Sequence, residues 1–385
     1  MNKKNQRLPQ THIKSVFALY SNGQIQEALD SIKTFTKDYP DEPLLYNISG
    51  ACYKAIGQLD AAVESFEKAL AIKPDYAEVN YNLGVTLKEL GQLDAAVEYY
   101  EKAIAVQPNY ADPYNNLGSI FMELGQLDDA VKSYKKALAL KPNYAEAHNN
   151  LGNAFKELGQ LDAAVERYEK AIAIQPDYAY AHNNLGNAMK RLKRLDEALA
   201  SYESAIALDP ELAFILGNIY YTKMHLCIWD DLASHLNELT SKVNNNEKAL
   251  NPFTALATID DPEIQRKAAE IYANEKYPQS HVLPKIERYP KHKKIRIGYF
   301  SQDFRDHPVS DLTAELYEMH DRKRFEIHAF SFGPDTEDEM TLRIKKGVDH
   351  FHDVRKMSHK DTAVLARSLE IDIAVDLGGY TQDCR

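Results

Sequence analysis

One segment of the chain combines a titratable group with a position where ligands bind. Ser301-Gln302-Asp303-Phe304-Arg305-Asp306-His307-Pro308-Val309-Ser310 lies between a short apolar run and a helical stretch. In an open parallel sheet, the loop after the first strand faces the ligand crevice. An imidazole there, with an ordinary pKa near 6.5, suits proton transfer at neutral pH. A helix N-terminus beside it disfavours the charged form and keeps the ring available as a base. The alternative is that Asp306 and Ser310 cap the helix and His307 covers surface.

A second set of groups is periodic. Asn82, Asn116, Asn150 and Asn184 each precede a Leu-Gly pair. Asn disfavours a helix interior by about 0.5 kcal/mol against Ala, so its recurrence needs a reason. A ladder of primary amides can donate to and accept from the backbone of an extended peptide whatever its sequence. The competing reading is hydrogen bonding between neighbouring repeats, helped by the adjacent Asn115, Asn149 and Asn183. The ladder starts late, because Ile48 holds the equivalent position in the preceding repeat. His148 and His182 share a position that Tyr114 also fills, which argues against a metal site.

The elements that must carry these groups announce themselves by period. Pro40, Pro74, Pro108, Pro142, Pro176 and Pro210 stand 34 residues apart. Gly50, Gly84, Gly118, Gly152 and Gly186 keep that register, as do Gly57, Gly91, Gly125 and Gly159 and the alanines from Ala62 to Ala198. A 34-residue period of this composition predicts stacked helix-turn-helix units, that is, a solenoid. Within Ala77–Pro108, Leu83, Gly84 and Leu87 line a first helix, Gly91 turns the chain, and Ala96, Tyr100 and Ala103 line a second that Pro108 ends. These residues resemble the tetratricopeptide repeat, with five complete copies from Asp41 to Pro210 and a partial one around Gly23.

The period fails where Tyr220 takes the place of the next Gly. Leu212–Leu239 still reads as helical, and Trp229, the only tryptophan, is expected to plug the last apolar face. A polar loop is expected over Ser241–Lys248, then a short helical connector from Asn251 to Ala273 and a linker punctuated by Pro278, Pro284 and Pro290. From Lys294 the pattern changes to strands at Ile295–Phe300, Phe325–Phe332, His350–Val354 and Ile371–Leu377. Helices are expected around Val309–Glu318, over Met340–Val348 and from a Ser358 cap to Leu369. Alternating strands and helices predict a parallel, doubly wound sheet. The expected organisation is thus a solenoid with capping helices over 7–240, connector and linker over 241–293, and a partial α/β domain over 294–385.

Composition narrows the function classes. A net charge of -11 excludes a general nucleic-acid surface, which needs a basic excess. No apolar run is long enough to span a bilayer, so no membrane partner is expected. Cys52, Cys227 and Cys384 are too dispersed for a metal site or a disulfide framework, and a cytoplasmic setting is expected.

Ile295-Arg296-Ile297-Gly298-Tyr299-Phe300-Ser301-Gln302-Asp303-Phe304, His307-Pro308, Met319-His320, Phe325-Glu326 and Gly379-Tyr380-Thr381 resemble the start of the catalytic region of protein O-linked N-acetylglucosamine transferases. Cys227-Ile228-Trp229-Asp230 and Asn251-Pro252-Phe253 resemble that family's bridge from repeats to catalytic region. The resemblance implies a two-lobed, Rossmann-like inverting transferase that uses no metal or cofactor. A Ser or Thr hydroxyl of a protein held by the repeats attacks UDP-N-acetylglucosamine. It also implies that His307 is the base or an acceptor-site residue, that Tyr380 and Thr381 lie near the acceptor, and that the asparagine ladder holds protein substrates. Asp311 and Arg367 stand where animal members carry histidines, so those roles do not transfer. The donor-nucleotide lobe of such enzymes lies beyond Arg385, so the 385-residue chain is expected to be inactive alone. The alternatives are a protein O-fucosyltransferase using GDP-fucose and a non-catalytic repeat scaffold.

Overall fold

A computed structural model describes residues 8–276, 283, 285–286, 289, 292–334, 336–355 and 357–378, except for the side chain of residue 359. Its contacts divide the chain into two units, residues 1–121 with 128–150 and residues 122–127 with 151–385.

The repeats form helix pairs: α1 (Gln10–Ser21) with α2 (Ile25–Asp38), then α3 (Pro43–Ala55), α4 (Leu59–Ile72), α5 (Ala77–Glu89), α6 (Leu93–Val106), α7 (Ala111–Glu123), α8 (Leu127–Leu140), α9 (Ala145–Glu157), α10 (Leu161–Ile174), α11 (Ala179–Arg191) and α12 (Leu195–Leu208). What read as a partial repeat around Gly23 is therefore a full pair. Each periodic proline lies two residues past a helix end. Proline disfavours the α conformation in the residue before it, and Tyr39, Lys73, Gln107, Gln175 and Asp209 have left the α region.

Two kinds of glycine do different work. Gly23, Gly57, Gly91, Gly125 and Gly159 turn between paired helices at φ of 70° to 75°, where a side chain is strained. Gly50, Gly84, Gly118, Gly152 and Gly186 instead make room. A Cβ there would sit 2.5–2.7 Å from the ring of Phe66, Tyr100, Tyr134, Tyr168 or Tyr202 respectively. Those rings are buried, and three of the tyrosine hydroxyls are satisfied locally: Tyr134 donates to Ser119 Oγ (3.3 Å), Tyr168 to Asn153 Oδ1 (2.8 Å) and Tyr202 to Asn187 Oδ1 (2.9 Å).

Beyond Pro210 the second unit continues the same apolar core through α13 (Ile215–His225), α14 (Leu232–Asn244), α15 (Pro252–Thr258) and α16 (Pro262–Lys276). Ile215, Ile219, Leu239, Val243, Leu250, Ala255, Ile264 and Ala268 cluster with Tyr202 and Ala205. Three expectations change here. The polar run 241–244 stays helical because no Gly or Pro interrupts it. The connector is two helices belonging to the repeat core, so residue 240 falls inside an element. Trp229 is 52% exposed and plugs nothing; it sits in the α13–α14 turn, between Cys227 and Asp231 at positive φ, and the aliphatic cluster seals the array instead.

The α/β region holds β1 (Ile295–Ser301), α17 (Pro308–Met319), β2 (Phe325–Ser331), α18 (Glu339–Gly347), β3 (His350–Asp353), α19 (His359–Ser368) and β4 (Ile373–Asp376). The strands are all parallel, in the order β3-β2-β1-β4. Parallel crossovers are right-handed. Stepping outward from β1 to β3 therefore puts α17 and α18 on one face, and returning past β1 to β4 puts α19 on the other. Ile297, Tyr299, Ile327 and Ala329 accordingly pack against Ala314, Tyr317 and Ile344. The opposite face carries Arg296, Gly298, Phe300, Glu326, His328 and Phe330, with the Phe300 and Phe330 rings stacked at 4.4 Å.

Candidate active site

The strand order reverses between β1 and β4, and in open α/β sheets the ligand crevice lies outside the carboxyl ends of the strands at that switch point. The chain leaving β1 there is the Ser301–Ser310 loop, and the chain leaving β4 is Leu377-Gly378. Leu377 N–H bonds Phe300 O (3.1 Å), which ties the two strand ends together, and Gly378 N–H bonds Asp376 Oδ1 (2.9 Å) in the turn after β4. Tyr380 and Thr381 lie outside the described residues.

His307 is the N-cap of α17. Its Nδ1 accepts from Val309 N–H (3.2 Å) and lies 3.7 Å from Asp303 Oδ2, while the side chain is 35% exposed. The expected caps act elsewhere: Ser310 Oγ–H donates to Asp303 O, and Asp306 turns its backbone N–H to Asp338 Oδ2 (3.1 Å). With Nδ1 occupied as an acceptor, the neutral ring carries its proton on Nε2. In this arrangement the ring's N–H is on Nε2, and proton abstraction would require Nδ1 to give up the cap.

Asp338 was not singled out from the sequence. It caps α18 through Thr341 N–H (2.8 Å) and at the same time holds the residue before His307. These hydrogen bonds, Thr341 N–H foremost, hold its carboxyl well below the ordinary carboxylate range. An Asp followed by Thr three residues later is a cap signal in sequence, but the second contact is non-local. Thr341 Oγ1–H also donates to Phe304 O (3.0 Å), so α18 braces the loop at two points.

A cavity of about 420 Å³ opens under α19 on the other sheet face. Phe300, Phe332, Ala363, Ala366 and Ala374 make it apolar, and Arg367 and Asp376 supply charge. His307 does not line it.

In the repeats, the asparagines make the inter-repeat bonds of the competing reading. Asn82 Nδ2–H donates to Asn47 Oδ1 (3.1 Å), Asn150 Nδ2–H to Asn115 Oδ1 (3.2 Å), and Asn116 Nδ2–H to the Tyr81 and Tyr100 hydroxyls (3.3 Å each). Asn184 holds the same position in α11. Beyond these bonds Asn82 has a second N–H and its carbonyl oxygen, Asn116 its carbonyl oxygen, and Asn150 a second N–H, its oxygen accepting from Asn149 Nδ2 (3.5 Å). His148 and His182 each place Nε2 3.0 Å from the carbonyl of the periodic proline, Pro142 or Pro176. That bond accounts for their spacing without a metal.

Comparison with known proteins finds parts of this chain matching repeat and glycosyltransferase family models. Residues 50–91, 86–125, 118–159 and 152–193 match the TPR repeat, residues 179–212 the tetratricopeptide repeat, and residues 270–385 glycosyl transferase family 41. A probable UDP-N-acetylglucosamine–peptide N-acetylglucosaminyltransferase SEC of Arabidopsis thaliana is 31% identical over 183 residues, 43% of this chain and 19% of its own. A UDP-N-acetylglucosamine–peptide N-acetylglucosaminyltransferase of Caenorhabditis elegans is 29% identical over 94 residues, 24% of this chain and 8% of its own. The chain therefore spans less than a fifth of the length of either relative. A solved O-GlcNAc transferase from Thermobaculum terrenum is 23% identical, with a TM-score of 0.42 over 70% of this chain and 46% of that one. No described helix is long and apolar enough to cross a membrane.

Proposed function

We propose that this chain, in which tetratricopeptide repeats precede a glycosyl transferase family 41 segment, serves a protein O-glycosyltransferase. N-acetylglucosamine passes from UDP-N-acetylglucosamine to a Ser or Thr hydroxyl of a protein held by the repeats. The hydroxyl oxygen bonds the anomeric carbon with inversion, the bond to UDP breaks with its electron pair staying on the diphosphate, and the hydroxyl proton passes to the departing diphosphate or to water. The single observation behind this reading is that both family matches occur in one chain, in that order, with the family 41 match covering all four strands and the His307 loop. Donor and acceptor are argued from the activity named for the two curated relatives.

Within this reading His307 is an acceptor-site residue whose Nε2–H holds a substrate oxygen. Tyr380 and Thr381 flank the acceptor past β4. Asn82, Asn116 and Asn150 hold the client backbone with the amide capacity left over from their inter-repeat bonds, and Asn184, at the same position in α11, continues the ladder. No metal or further cofactor enters this scheme. The free thiols Cys52 and Cys227 fit a reducing, cytoplasmic setting.

The test is sugar transfer by the protein that carries this chain, with labelled UDP-N-acetylglucosamine and a Ser/Thr peptide. His307→Asn keeps an oxygen that can accept from Val309 N–H but withdraws the Nε2 donor. Loss of this hydrogen-bond donor should lower transfer about 100-fold at an unchanged melting temperature. His307→Ala should lose both transfer and the cap, the latter worth about 1 kcal/mol. Undiminished transfer by His307→Asn removes His307 from the site. Label accepted from GDP-fucose alone would select the fucosyltransferase.

A further inference from the structure

The sheet face opposite α17 and α18 carries a cluster that sugar transfer does not use. Glu326 and His328 are two residues apart on β2 and so share a face, and His350 on β3 is the register partner of His328. We propose that Glu326, His328 and His350 bind one zinc ion that fastens the edge strand β3 to β2. This proposal stands independently of the glycosyltransferase reading.

Three observations carry it. The ligand atoms converge, since one atom from each residue lies within 4.8 Å of the others. Glu326 Oε1 is 2.9 Å from His350 Nε2 and 3.7 Å from His328 Nε2. Tetrahedral zinc with bonds near 2.0–2.1 Å needs separations of about 3.4 Å between its ligands. The two Glu326 pairs therefore need shifts of about half an ångström or less, and the two imidazoles, within 4.8 Å of each other, close by at most about 1.4 Å through side-chain rotation. Second, His328 is 3% exposed and its Nε2 is buried with no hydrogen-bond partner. A buried nitrogen with a free lone pair is costly, and a cation at this point supplies the missing partner. Third, outer partners already orient the ligands as they do around bound metals. His328 Nδ1 is 3.1 Å from His352 Nε2, and Arg296 Nε–H donates to Glu326 Oε2 (3.1 Å), which leaves Oε1 for the ion.

The charges nearby permit a cation. Arg296 is the close positive group, and Glu370 offsets it through Nη1 (3.2 Å), with His292 on the same carboxylate (3.0 Å). Two imidazoles and one carboxylate favour zinc over magnesium or calcium, which prefer all-oxygen sites. Three protein ligands leave a fourth position for water. The His350 side chain is 48% exposed, so the ion enters from solvent and replaces the His350–Glu326 hydrogen bond.

The experiment is zinc titration of the untagged 385-residue chain, monitored by calorimetry, with cobalt(II) as a spectroscopic substitute. One equivalent of zinc should bind, and cobalt should give the strong visible bands of a tetrahedral site. His350→Ala changes an exposed side chain, and Glu326→Gln keeps the shape of the carboxylate. Each should weaken zinc binding about 10- to 100-fold or abolish it, and should quench the cobalt bands. Absence of zinc binding by the wild-type chain overturns the proposal, as does binding that both variants leave unchanged. Should circular dichroism show His350→Ala to be unfolded, Glu326→Gln alone decides.

Discussion

At the scale of single residues, Lys193 departs most plainly from its own repeat. It occupies the position of Gly57, Gly91, Gly125 and Gly159 and holds φ at 63° with a side chain present. The left-handed conformation costs a non-glycine residue about 1–2 kcal/mol, partly offset by the lower entropy of its unfolded chain. Lys193→Gly should therefore raise unfolding stability by about 0.5–1 kcal/mol in a denaturant titration. An unchanged or lower midpoint would mean that the lysine side chain compensates. The turn glycines and the Gly–Tyr pairs were legible because one physical demand recurs in one register. The part played by His307 was legible only as a location. An imidazole can cap, donate or abstract, and the tautomer became assignable once Val309 N–H was seen on Nδ1. Glu326, His328 and His350 escaped notice because their meeting depends on the β2–β3 register, which no local pattern encodes.

Elements rather than residues fix the shape of the crevice. The four strands were recognisable as short apolar runs between polar boundaries, and each begins and ends within about two residues of the expected limits. Their order was not recognisable, since nothing near Ile373–Asp376 says that this strand returns past β1. The position of α14 was misjudged because polar residues at 241–244 suggested a loop, yet polarity without Gly or Pro does not stop a helix. The brace between α18 and the His307 loop supplies a test at this scale. Asp338→Ala should destabilise the α/β region by about 1 kcal/mol, the usual worth of an N-cap, and should loosen the loop. The pH dependence has a defined sign. The carboxyl pKa is lowered on folding, so its stabilisation is fully present above the unfolded value of 3.8 and is lost as pH falls toward the folded value. In acid titrations followed by circular dichroism, the stability gap between wild type and Asp338→Asn should hold above about pH 4 and narrow below it. A gap that is constant to lower pH would show the charge to be irrelevant.

For the molecule as a whole, the proposed client binding would use the same side chains that hold the repeats together. Replacing Asn82, Asn116, Asn150 and Asn184 by Ala removes bonds to Asn47, Tyr81, Tyr100 and Asn115 along with any hold on a client peptide. Each lost hydrogen bond costs about 0.5–1.5 kcal/mol, offset by roughly 0.5 kcal/mol of helix propensity gained per Ala. The quadruple variant should melt a few degrees lower and also bind Ser/Thr peptides more weakly in fluorescence anisotropy. Unweakened peptide binding would leave the asparagines a purely architectural role. Sequence could not separate the two roles, because one amide has the chemistry for either. A broader consequence follows from the glycine that admits an aromatic ring in pair after pair. When five successive helix pairs close on the same glycine–ring fit, a duplicated or excised 34-residue block brings or removes its own internal packing intact. An ancestor of this chain could thus have gained or shed reach in fixed increments, with selection acting on how many blocks a client required and not on inventing new packing.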